Sequence, residues 1–148
     1  RLSLAVNATH INRFQDQFDP ASPSIDKAGT FTDEAAGGLG ALPDWKINTG
    51  ISWQHQYWQG HYNIYHVSSL SEEVPLLETR RSISSWTTHN FNLSYLGPLS
   101  KWFRLTGGVN NLFDNAPPFS AAAFNDSYDG RTYDITGRFF FVKVDKSF

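Results

Sequence analysis

Apolar and polar residues alternate over several stretches of the chain, the period of two that sends successive side chains to opposite faces of a β-strand. In 1–14, Leu2, Leu4, Val6 and Ala8 oppose Ser3, Ala5, Asn7 and Thr9, and in 45–57, Ile47, Thr49, Ile51 and Trp53 oppose Asn48, Gly50, Ser52 and Gln54. The third segment, 61–69, is ambiguous, because Tyr62 and Ile64 compete with Tyr65 and Val67 for the apolar face. Next, 88–95 sets Phe91, Leu93 and Tyr95 against Asn90, Asn92 and Ser94, and 103–113 sets Phe103, Leu105, Gly107 and Val109 against Arg104, Thr106, Gly108 and Asn110. Last, 138–148 sets Phe140, Val142, Val144 and Phe148 against Phe141, Lys143, Asp145 and Ser147, while Asn111 and Lys146 interrupt their stripes. Nothing long repeats at helical spacing. The pattern predicts an all-β chain of six antiparallel, up-and-down strands.

The connections alternate in length. Tight turns at 58–60 and 97–100 are marked by Gly or Pro. The segments 15–44, 71–87 and 114–137 are several times longer and rich in Ser, Asp, Asn, Gly and Pro. Connections in compact soluble domains are mostly about 4 to 6 residues long. Outer-membrane barrels carry short turns at one rim and long loops at the other. Alternation alone suits a soluble sandwich equally well, but all three long connections fall on one side of the sheet, which favours a barrel wall. From Trp45 to Tyr57 the rise of about 3.3 Å per residue, with a tilt of about 45°, climbs roughly 28 Å, close to a hydrocarbon core of about 30 Å. Aromatic girdles are expected at both ends, with Tyr57, Tyr62, Tyr95, Trp102 and Phe103 at the short-turn rim and Trp45 and Trp86 at the long-loop rim.

Composition narrows the function classes. Of 148 residues only 18% are charged, and twelve Phe, six Tyr and five Trp are present. Ordinary domains carry more charge and fewer aromatics. The formal net charge of -2 supplies no basic field for nucleic acid. With no Cys there is no disulfide framework, thiolate metal site or cysteine nucleophile. No apolar run approaches the roughly 18 residues of a transmembrane helix, which leaves strands as the means of crossing. The chain starts at Arg1 without Met or a basic-then-apolar leader, and reads as a mature product or a piece of a longer one.

Three local sequences go further. Asn110, Asn111, Leu112, Phe113, Asp114, Asn115, Ala116, Pro117, Pro118 and Phe119 leave a strand and end in a double proline that cannot continue a ladder. Tyr133, Asp134, Ile135, Thr136, Gly137, Arg138 and Phe139 lead into the last strand, which finishes at Phe148, and Leu42, Pro43, Asp44, Trp45 and Lys46 open the second. In order and placement, 42–148 resembles the carboxy-terminal barrel strands of TonB-dependent outer-membrane receptors, with 1–41 following by pattern. The resemblance implies a plugged barrel of about 22 strands in the outer membrane of a Gram-negative bacterium. Of that barrel the chain is the carboxy-terminal part, without the plug or the earlier strands. It further implies uptake of a scarce ligand such as a ferric siderophore, contact with TonB through the missing plug, and a terminal aromatic, Phe148, read by the barrel-assembly machinery. Lys146 departs from the aromatic or apolar residue usual two places before that end. A soluble β-sandwich that binds carbohydrate and a passive porin are the alternative functions.

The remaining chemistry is sparse. His55, His61 and His66 alternate faces and span a turn, so a metal triad is not expected, and Asp126, Asp129 and Asp134 lack the ligand pattern of an EF-hand loop. No acid, base and nucleophile set is present, and neither enzymatic activity nor a cofactor is expected. Candidate ligand contacts lie in two long loops: Arg80 and Arg81 with Trp86, and Arg131 with Tyr128 and Tyr133, since guanidinium groups fork onto carboxylates and stack on rings. Solvated loop tips are the plainer explanation of the same residues.

Overall fold

The computed structural model describes residues 1–17, 19–32, 37–74, 79–97, 103–123 and 126–146. Among them every regular element is a strand: β1 (Leu2–His10), β2 (Gln15–Asp16), β3 (Ile25–Asp26), β4 (Thr30–Thr32), β5 (Gly40–Leu42), β6 (Trp45–His55), β7 (Trp58–Val67), β8 (Leu70–Val74), β9 (Thr79–Ile83), β10 (Trp86–Tyr95), β11 (Phe103–Asn110) and β12 (Phe139–Lys146). The six long strands form one open sheet in the order β1-β6-β7-β10-β11-β12, each antiparallel to the next. This is the up-and-down meander that the alternation predicted.

Register resolves the third strand. Ile51 pairs with Tyr62 and Thr49 with Ile64, and Phe91 and His89 continue the same row on β10. Tyr62 and Ile64 therefore join the apolar face, while Tyr65 and Val67 lie on the polar one. Carried across the ladder, the apolar face holds Leu2, Leu4 and Val6, then Ile51 and Trp53, Phe91, Leu105, and finally Phe140, Val142 and Val144, all of them exposed. The opposite face is lined by Asn7, Asn48, Asn63, Asn90, Asn92 and Asn110 with Ser and Thr between them. Gly108 is the close-packed glycine on that face: a Cβ there would meet the Phe141 ring and lie 2.9 Å from the Phe91 carbonyl oxygen. Gly107 has open space above it.

Several expectations shift. The β6–β7 turn lies at Gln56 and Tyr57, with Gln56 at φ 48°, so 58–60 belongs to β7. β11 stops at Asn110 because Asn111 takes φ 49°, which explains the broken stripe. Trp86 is not a girdle residue. Its pairing with Val67 turns it onto the polar face, where it is buried. Tyr62 sits in mid-wall rather than at the rim, opposite Ile51, with its hydroxyl 2.7 Å from His89 Nδ1. The girdle at the short-turn rim keeps Tyr57, Tyr95 and Phe103 and gains Trp58, with Trp58 and Tyr95 ring centroids 5.0 Å apart, and the long-loop rim carries Trp45 stacked on His10 at 4.2 Å. Trp102, the second turn and Phe148 lie outside the described residues.

The long connections are not featureless loops. The first two combine in a second sheet, β5-β4-β8-β9, in which β4 and β8 run parallel, and β2 pairs with β3. The buried clusters sit here and where the last connection packs on the ends of β7 and β10. Phe31, Leu70 and Ile83 form one cluster and Val67, Trp86 and Tyr133 the other.

Candidate functional site

The site is built where the strand ends meet the connection 111–138. At the end of β11 the backbone turns through Asn111 and Asp114, both at positive φ, closed by the Asp114 amide donating to the Asn111 carbonyl at 2.9 Å. Asn111 is buried, and its side chain is engaged at both ends: Oδ1 accepts from the Asn115 amide at 2.9 Å and Nδ2 donates to the Asn115 carbonyl at 3.0 Å. Its own amide donates to Asn90 Oδ1 at 2.8 Å. Asn115 then donates through Nδ2 to the Thr87 carbonyl, while its carbonyl also accepts from Trp86 Nε1 at 3.2 Å.

Asp114 closes the other side. Its Oδ1 accepts from the Arg138 amide at 2.8 Å, and Gly137, at φ 72°, passes so close that a Cβ would lie 3.0 Å from that oxygen. The two motif segments singled out in the sequence, around Asn111 and around Gly137, are thus one hydrogen-bonded knot that ties the last connection to β10, β11 and β12. Pro117 and Pro118 leave it half-buried.

The candidate ligand residues divide between structure and surface. Trp86 is packed edge-on against Tyr133 at 5.5 Å and Tyr65 at 6.2 Å, with Tyr128 half-buried beside them. Among the described residues the buried Tyr133 hydroxyl has no hydrogen-bond partner. Burial, and then the charge of Asp129 and the neighbouring Tyr65, push its pKa up to about 12. Arg81 lies 4.5 Å above the Phe119 ring and 3.8 Å from Glu72, which is 1% exposed. The Glu72 carboxylate accepts from Ser120 Oγ at 2.6 Å and from the Ala121 and Ala122 amides at 3.1 and 3.0 Å. Glu72 was not among the residues picked from the sequence, where it is one of two adjacent acids in a loop. Arg80 pairs with Glu73 on the surface at 3.2 Å, and Arg131 is exposed on its turn.

Beside the knot, the polar face opens into a cavity of about 260 Å³ lined by Trp86, Thr88 and Asn90 of β10, Asn110 and Asn111, Asp134, Thr136 and Gly137 of the loop, and Phe139 of β12. Of the residues proposed from sequence as ligand contacts, Trp86 alone is among this lining. Hydrogen bonds from the Thr136 side chain and amide hold the Asp134 carboxyl below its ordinary value. Among the described residues no three His, Cys, Asp or Glu side chains converge as a metal site would require.

Neither a protein-family model nor a curated protein matches the chain. Among solved structures, the ferric enterobactin receptor of Pseudomonas aeruginosa, crystallised as a point mutant, matches with a TM-score of 0.61 at 20% identity, over 99% of this chain and 20% of that one. The likeness establishes the fold: an all-β, antiparallel sheet like that of a barrel receptor, here left open. The chain spans only that fifth of the neighbour's length.

Proposed function

We propose that this chain is the carboxy-terminal part of the wall of a TonB-dependent receptor in a Gram-negative outer membrane, importing a scarce small ligand. One observation carries the reading: across the six strands one face is apolar, exposed along β1 and β12 and partly exposed on the strands between, with aromatics at both rims, while the other is polar and covered at one end by the long connections. A wall with lipid outside and a lumen inside has this arrangement. A soluble sandwich would need a second sheet over the apolar face, and among the described residues none lies there.

In this reading the wall meets lipid, the cap formed by 11–44, 68–85 and 111–138 faces the medium, and further strands outside this chain close the barrel, since unpaired backbone in lipid is costly. Energy from TonB would arrive through a plug that is also outside this chain. Ferric enterobactin, an iron chelate, is the ligand of the structural neighbour. An iron chelate is therefore the first class to test. No covalent chemistry is assigned. The test is fractionation of cells that make the complete protein, with electrophoresis of unheated and boiled samples. Recovery in the outer membrane as a heat-modifiable species supports the reading, and a periplasmic protein soluble without detergent ends it.

A further inference from the structure

Resting on the receptor reading, we infer that the cavity beside the knot takes an uncharged, hydroxyl-rich ligand of the carbohydrate class, or the sugar-like part of a larger ligand. The lining decides the class. Phe139, half exposed, supplies apolar ring surface open to contact, and the buried Trp86 closes the cavity as a rigid apolar edge. Between them lie short neutral groups: the Thr88 hydroxyl and the Asn110 amide, which both donate and accept, and the Thr136 hydroxyl, which donates to Asp134 and keeps its oxygen as an acceptor. Asn90 gives its oxygen to the Asn111 backbone, which leaves its NH2 as a donor. Asn111 is spent within the knot and acts as a rigid wall.

The charges exclude the other classes. Among the described residues that line the cavity there is no Lys or Arg, so nothing there compensates a naked anionic chelate that leaves water. The one charged group in that lining is the Asp134 carboxylate, ionised at neutral pH, which accepts from hydroxyl groups and repels anions. Of the three arginines expected to meet an anion, Arg80, Arg81 and Arg131, none is in this lining, and Arg81 is turned to Glu72 and Phe119 in the cap. The cavity measures about 260 Å³. Sites for drug-sized ligands typically span roughly 300 to 1,000 Å³, so this one suits a sugar ring or two rather than a whole chelate.

The experiment titrates the complete protein in detergent with the neutral trisaccharides maltotriose, cellotriose, mannotriose and xylotriose, and with ferric enterobactin as the anionic comparison. Heat-modifiability is recorded on the same preparation, so a protein that is not an outer-membrane barrel is distinguished from a folded barrel with the wrong ligand class. The expected result is calorimetric binding of at least one trisaccharide, weakened about tenfold or more by Asn110→Ala, which removes a polar partner. Phe139→Ala should do the same, and because Phe139 belongs to a wall strand, Thr136→Val in the loop serves as the variant that spares assembly. A folded barrel that binds only the ferric chelate overturns the inference. So does sugar binding untouched by Asn110→Ala and Thr136→Val. Failure of every probe on a folded barrel also overturns it.

Discussion

Glu72 shows what a single residue does in the cap. Its buried carboxylate satisfies a hydroxyl and two backbone amides of the last connection and pairs with Arg81, so it holds that connection to β8. In Glu72→Gln one of these acceptor oxygens becomes an NH2 that faces donors, and the stranded groups cost about 1–3 kcal/mol. The expected result is faster proteolysis of 111–138 and faster exchange of the Ala121 and Ala122 amides, with barrel heat-modifiability unchanged. Tyr133 makes the same region sensitive to base. Its phenol ionises near 10 when freed and at about 12 when packed, so the packing is intact below pH 10 and weakens as the pH climbs from 10 toward 12. Tyr133→Phe should reduce that pH dependence. Since the hydroxyl is buried without a partner among the described residues, the same change should leave the loop as stable as before or more so, by about 1 kcal/mol. Protease resistance of the loop between pH 9 and 11 reads both effects.

For the strands, direction follows from the meander. The longest, β6, covers Trp45–His55. At about 3.3 Å per residue with a tilt of about 45° it climbs roughly 23 Å, close to the apolar band of about 25 Å in outer-membrane barrels. The turn at 56–57 and the connections at 11–44 and 68–85 then lie on opposite sides of the bilayer. The chain lacks Cys, so an introduced thiol reports its own position within this segment. Ser24→Cys and Ser85→Cys, both exposed, should react with a membrane-impermeant maleimide on intact cells, and Tyr57→Cys only after the outer membrane is permeabilised. The opposite labelling pattern would invert the orientation.

At the scale of the whole molecule, the surface is too large for a free-standing domain. The chain has a mass of 16.7 kDa and exposes 10152 Å². A compact monomer of that mass exposes about 7,600 Å². On the apolar face Leu2 is 72%, Phe140 70% and Val142 76% exposed, and β1 and β12 are the open edges of the sheet. An unpaired edge is a template for further pairing. Expressed alone in plain buffer, the 148-residue chain should therefore aggregate or require detergent, as size-exclusion chromatography with light scattering would show. A monodisperse, cooperatively melting monomer would contradict this.

The meander was legible in the sequence because its causes are local. Leu2 through Val6 and Phe140 through Val144 alternate with their neighbours, and a period of two needs no knowledge of partners. The loop asymmetry was readable for the same reason, since it depends on the spacing of turn residues. What the sequence left open was decided by pairs far apart in the chain. Tyr62 and Tyr65 offered two faces, and only the ladder with Ile51 and Phe91 selected one. Trp86 looked like a girdle residue until its register with Val67 placed it against Tyr133. The motif segments around Asn111 and Gly137 stood out as sequence, but their role as one knot rests on the Asp114 bond to the Arg138 amide, 24 residues away. Glu72, bonded to residues 48 to 50 positions further on, left no local sign at all. The cavity beside the knot is of the same kind, because a hollow lined by β10, β11, β12 and a loop exists only once the tertiary structure has brought them side by side.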